Sequence, residues 1–292
     1  MKMNVILGLV LMSVFFVSCD DKDDAVAQGP AGPQLIVKFK FDPNQVRLNN
    51  LGEPSTVASG NAAQTPVFNK ISSHYLELAQ SATTQLGQGT ILYHGAETTA
   101  GGANAFDFSK AIIVGEGEAF LSIPLKNIAP GSYQWVRCSL SYQDYNINVL
   151  SSGVNYIGTL ASFVGKSTYI ASFTSGGYNY TVNANKDQGY WTFGLQGVNY
   201  STSGQTPPGA TTVPNPLHAT STIPPGSCVV TGKFANNLTI TGNETTNMVL
   251  TLSLSINKSF EWHEQNADGK YEPSIGENVV DMGLRGLIPS YQ

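Results

Sequence analysis

Apolar and polar residues alternate with a period of two along most of the chain. The run "LIVKFKF" places Leu35, Val37, Phe39 and Phe41 on one face. In "NMVLTLSLSI", Met248, Leu250, Leu252, Leu254 and Ile256 oppose an outward row of Thr251, Ser253, Ser255 and Asn257. Successive side chains of an extended backbone point to opposite sides, so each run reads as a strand with one dry and one wet face. "HYLELAQ", "GTILYHG", "EAFLSIPL", "GSYQWVRCSLSYQDYNI", "YNYTVN" and "GYWTFGLQG" repeat the pattern. No run keeps a helical period with caps, and "YIGTLASFVGKSTYIASF" fits either a short helix or two strands. Turn-forming clusters such as "NNLGEP", "IAPGSY" and "TSGGY" separate the runs. Together these features predict an all-β fold: an antiparallel β-sandwich, jelly-roll or immunoglobulin-like, with long loops.

The predicted sandwich body covers residues 34–292. Inside it, "STSGQTPPGATTVPNPLHATSTIPPGS" (201–227) shows no period and is rich in Pro and Thr. A segment of that length is either a long functional loop or a sub-domain boundary. The 292 residues carry a net charge of −5 and no basic run, so the electrostatic term that drives nucleic-acid binding is missing.

The first 18 residues stand apart from this pattern. Lys2 gives a positive start, and "VILGLVLMSVFFV" is an apolar run of signal-peptide length. The run ends in "FVSC", where Ser18 precedes Cys19. This resembles the lipobox of bacterial lipoproteins, with Phe16 in place of the usual Leu. The resemblance implies cleavage before Cys19, diacylglycerol on its sulfur and a fatty-acylated amine such as palmitate. Two or more acyl chains anchor a protein stably. Residues 19–33 then read as an acidic, flexible tether. Its "CDDKDD" is similar to the surface-export signal of Bacteroidota lipoproteins, which implies an outer-membrane, cell-surface address; the periplasmic face is the alternative.

With Cys19 assigned to lipid, Cys138 and Cys228 remain, an even number for an oxidising compartment. Cys138 alternates with Val136, Leu140 and Tyr142, and Cys228 with Val230 and Phe234, so both face a core. They form either a disulfide or two separately buried thiols.

Charge is scarce elsewhere, yet Glu261, Glu264, Asp268, Glu272, Glu277 and Asp281 crowd one late stretch. Oxygen-bearing side chains at Glu264, Asn266 and Asp268 are spaced by two, and Gly269 follows. This matches the first half of a calcium loop, with the Lys270 carbonyl as the next ligand. The expected twelfth-position glutamate is Ile275, and Glu277 lies two residues beyond it. The variant resembles calcium loops of extracellular β-sandwich modules. That resemblance implies a structural calcium ion on Glu264, Asn266, Asp268, Lys270 and Glu277, with Glu272 or Asp281 completing the shell. A plain solvated turn is the competing reading.

Catalytic motifs do not emerge. There is no nucleophile elbow, phosphate loop or metalloprotease helix, and "GEGEAF" reads as a solvated turn rather than a glycosidase pair. His74, His94, His218 and His263 are isolated in sequence; a copper or zinc site built from His74, His94 and His218 with Met248 is the alternative metal reading. Trp135, Trp191 and Trp262 stand among Tyr178, Tyr180, Tyr190 and Tyr200 at strand ends, where rings either stack on ligand or fill a core. "LIVKFKFDP" with the β-rich body after it resembles the MbnP-like lipoproteins, a family associated with copper handling, but it brings no ligand motif. The sequence therefore points to a non-enzymatic, lipid-anchored envelope protein that binds an extracellular glycan or an envelope protein. A copper-handling lipoprotein is the alternative, and a hydrolase ranks third.

Overall fold

The period-two runs are strands in the computed structural model, which describes residues 32–48, 53–165, 167–207 and 228–292. The signal segment, Cys19, nearly all of the tether, His218 and residues 208–227 lie outside the described residues. Gly32–Gln292 forms one compact unit. Among the described residues there is no α-helix, only strands and short 3-10 turns.

A central seven-stranded sheet organises the fold. It contains β3 (Val67–Ala79), β4 (Thr90–His94), β8 (Gly131–Ser151), β9 (Val154–Phe163), β12 (Tyr190–Leu195), β13 (Tyr200–Gln205) and β14 (Cys228–Ile240). One side of it packs against a sheet of β1 (Gln34–Asp42), β7 (Ala119–Pro124), β15 (Met248–Ser255) and β18 (Leu287–Tyr291). The same side also meets a small sheet of β2 (Asn61–Gln64), β16 (Phe260–His263) and β17 (Val279–Met282). A further aromatic core joins the central sheet to β5 (Glu97–Thr98), β6 (Ala105–Asp107), β10 (Thr168–Ser175) and β11 (Tyr178–Lys186). The molecule is thus an all-β, sandwich-like fold. The stretch that fitted either helix or strands is the pair β9 and β10.

Three details depart from the sequence reading. Pairing is antiparallel except at β1–β15 and β6–β10, which run parallel. Tyr142 does not share the face of Val136, Cys138 and Leu140. Ser73 pairs Leu140 while Ser72 pairs Tyr142, so Ser141 is an extra residue on β8 and the facing parity changes there. Tyr142 consequently enters the second core. Third, Ser253 and Ser255 are buried rather than wet. The Ser253 hydroxyl donates to Gln45 Oε1 at 2.7 Å and Ser255 to the Gln45 carbonyl at 2.9 Å, because the segment after β1 covers that face.

The long strand β8 serves both halves of the sheet. Its first half pairs with β14 and its second half with β9, while β3 runs along the opposite edge. The strands on either side of residues 208–227, β13 and β14, thus belong to one sheet.

Candidate functional site

The acidic loop joins β16 to β17, as a strand-to-strand connection. Its carboxylates are occupied by N–H donors. Glu264 Oε1 accepts from the backbone of Asp268 at 2.9 Å and Gly269 at 3.0 Å, and its Oε2 accepts from the Trp262 indole at 2.9 Å. Glu277 is buried, and its two oxygens accept from the backbones of Gln265 (3.2 Å) and Glu272 (2.6 Å), tying the two limbs of the loop together. Asn266 donates to Glu272 at 2.6 Å, and the Lys270 backbone donates to Asp268 at 2.9 Å. Gly269 sits at φ 71°, in the left-handed region the turn requires. Charge-assisted bonds to backbone N–H groups offset repulsion among the carboxylates. Among the described residues, no group of three or more His, Cys, Asp or Glu side chains is placed to hold a metal ion. As placed, Glu264, Asn266, Asp268, Lys270 and Glu277 all take part in the loop's own hydrogen bonds.

The loop does other work: it walls a cleft. Leu150 at the end of β8 donates its N–H to the Tyr271 carbonyl at 2.8 Å, fixing the loop to the central sheet. The Tyr271 ring meets Phe260 at 5.1 Å and Trp262 at 5.6 Å between centroids. Burial pushes the Tyr271 phenol up to about 12, with nearby Glu277 adding to the shift, so it stays neutral. Between this wall and strands β8, β9, β12 and β13 lies a cleft of about 830 Å³. That is within the range of small-molecule sites, roughly 300–1,000 Å³.

The floor follows from strand register. Trp191, Phe193 and Leu195 alternate along β12 and share one face. Across the strands, Trp191 stands opposite Gly204, Phe193 between Leu160 and Thr202, and Leu195 between Gly158 and Tyr200. The two glycines shape the surface. A Cβ on Gly204 would stand 2.6 Å from Trp191 Cζ2, and one on Gly158 would stand 2.3 Å from Phe193 Cε2. The rings therefore lie down over bare backbone, the arrangement by which an aromatic side chain covers a strand glycine. Ile147 and Val149 of β8 and Tyr156 of β9 complete the inner wall. At the mouth, Tyr200 is 53% exposed and Val198 39%. Glu277 is the one charged side chain among the described lining residues; Lys, Arg and His are absent from them.

The three tryptophans have separate fates. Trp191 lines the cleft. Trp262 is fully buried beneath Tyr271 and holds Glu264. Trp135 lies on the first half of β8, with Lys233 Nζ 5.9 Å from its ring. Tyr156, Phe193 and Tyr271 join Trp191 at the cleft; the period of "GYWTFGLQG" already put Trp191 and Phe193 on one face, but nothing in sequence showed which side was open.

Cys138 and Cys228 are free thiols on adjacent strands, facing one core. Cys138 pairs Val230 and Cys228 pairs Leu140, so the two are diagonal neighbours rather than opposite. Burial pushes both thiols up to about 12, which keeps them protonated. The histidines do not converge on a metal centre among the described residues: His74 is buried on β3, while His94 is exposed with Nε2 4.0 Å from Glu97.

No protein-family model matches this chain, and no curated protein or solved structure is found to be similar to it. No helix among the described residues is long and apolar enough to cross a membrane.

Proposed function

We propose that this protein is a non-enzymatic binding protein of the cell envelope, held by lipid on Cys19, whose extracellular ligand enters the cleft between β12–β13 and the 264–278 loop. One observation carries the binding half of this reading. A cleft of about 830 Å³ is floored by Trp191 and Phe193 and walled by Tyr271, with solvent-exposed apolar groups at its mouth. A mainly apolar concavity with a few polar groups is the usual form of a ligand site. Large aromatic surface left uncovered in a sandwich is otherwise a liability. The address half rests on the resemblance of "FVSC" and "CDDKDD" to lipoprotein signals.

The full-length protein, displayed on a glycan array and against envelope extracts, tests the reading. Trp191→Ala is expected to weaken the recognised ligand at least ten-fold with the fold intact by circular dichroism. A ligand held equally well by Trp191→Ala would move the site elsewhere. The address is read independently, from detergent partitioning of Cys19→Ser, which is expected to lose the membrane phase.

A further inference from the structure

We infer that the cleft selects ligands bearing an uncharged ring with a flat apolar face, an arene or a pyranose, and that Gly158 and Gly204 set this selectivity. The inference rests on the cleft being the binding site, and it names the ligand class.

Three features carry it. First, the floor presents ring faces. Trp191 and Phe193 lie over Gly204 and Gly158, where any Cβ would stand within 2.6 Å of ring carbons. Neither glycine has the positive φ that would itself demand glycine. The missing side chains therefore serve the rings above them, not the backbone. Second, the two rings lean to opposite sides of β12, Trp191 over Gly204 of β13 and Phe193 over Gly158 of β9, so the floor offers two separate ring faces. Stacking on either face rewards a planar apolar ring and gives a flexible chain no comparable fit. Third, the lining disfavours charge. Of the described lining residues only Glu277 is charged, and both its oxygens already accept backbone N–H bonds. An anion would find no cation to offset its desolvation, and the one carboxylate, Glu277, is buried and shared between two backbone N–H donors, which makes it a weakened partner for a cation. The neutral polar side chains of Ser151 and Thr202 stand at the edges, with those of Gln205 and Asn278, whose amide N–H groups donate to the backbone carbonyls of Gln188 and Gly276.

Equilibrium titration of the full-length protein tests this with defined probes. N-phenyl-1-naphthylamine supplies an uncharged arene and cellotetraose an uncharged pyranose chain. 8-Anilinonaphthalene-1-sulfonate and benzyltrimethylammonium supply charged rings, and 1-dodecanol a flexible apolar chain. At least one uncharged ring probe is expected to bind, ten-fold or more tighter than either charged ring and than dodecanol. Which one binds identifies the source of the ring. Gly204→Ala and Gly158→Ala are each expected to weaken it at least five-fold. Trp191→Leu guards against misfolding in the glycine variants: it keeps an apolar side chain and is expected to lose the ring probe while retaining any weak dodecanol binding. Dodecanol binding as tightly as the rings, with Trp191→Leu without effect on ring probes, would overturn ring selection and leave the cleft as a binding site. Charged rings binding as well as neutral ones would overturn the charge rule. Absence of binding by every probe would overturn this inference, while the array result for Trp191→Ala judges the binding-site reading by itself.

Discussion

The most demanding residue in the fold is Glu77. It is fully buried on β3, with Arg137 Nη1 2.8 Å from Oε1, and with the Tyr75 hydroxyl (2.6 Å) and the Gly87 N–H (2.8 Å) donating to Oε2. Removing the cation leaves a buried carboxylate without a counter-charge, which costs about 3–5 kcal/mol. Arg137→Met is therefore expected to lower unfolding stability by about that amount in urea titration. Adding Glu77→Gln should recover much of it, since a neutral amide needs no cation and keeps an acceptor for Tyr75 or Gly87. Full stability in the single variant would show that the pair is not needed for folding. At this scale the sequence is an incomplete guide. "HYLELAQ" marks a strand with period two, but Glu77 sits on the face that sequence reads as wet, and its partner is 60 positions away. Trp191 and Trp262 look alike in sequence because both fall in aromatic strands. What separates them is which layer covers which strand, a property no local pattern contains.

At the scale of elements, strands were legible and their pairing was not. Runs such as "LIVKFKF" and "NMVLTLSLSI" are β1 and β15 because half of each must be hidden, and alternation records that need directly. Their parallel pairing joins residues from opposite ends of the chain and leaves no local mark. The bulge at Ser141 is similarly silent, since a parity change looks like noise until the partner strand is known. The 264–278 loop raises a separate question, what its oxygens hold. Its oxygen spacing is that of a calcium loop, while its described geometry turns those oxygens onto N–H groups. The loop is therefore expected to keep its resistance to proteolysis in a chelator. Glu277→Ala is expected to lose it, because each buried acceptor removed strands N–H donors at a cost of about 1–3 kcal/mol per group. Cleavage near Asp268 that appears on chelation of the wild-type protein would instead restore a cation to the loop.

For the whole molecule, acid stability depends on how the small β2–β16–β17 sheet is tied to the rest. Glu261 is the knot. It is buried, with Arg47 Nη2 2.8 Å from one oxygen, and with Asn61 (2.7 Å) and the Ala58 N–H (3.0 Å) donating to the other. Burial alone would raise its carboxyl, but the bonds from Asn61, Arg47 and Ala58 outweigh that, and it titrates below the ordinary glutamate range. The folded state then binds the proton less readily than the unfolded chain. Stability from Glu261 is therefore fully present above the unfolded value, about 4.3, and is lost as pH falls through the lower folded value. Asp281 opposes it with the other sign. Burial raises its carboxyl despite Arg285 beside it, so its ionisation subtracts stability as pH climbs through the raised value. A stability profile between pH 2 and 6 is expected to fall on its acid side. Glu261→Gln is expected to flatten that limb, and Asp281→Asn to leave it in place. Because β16 and β17 carry Phe260, Val279 and Met282 into the cleft, loss of the knot should empty the site before the central sheet melts. Following a bound ring probe and far-UV circular dichroism together down the same acid titration checks this. Release of the probe should come first, and a single coincident transition would mean that the small sheet and the central sheet unfold as one.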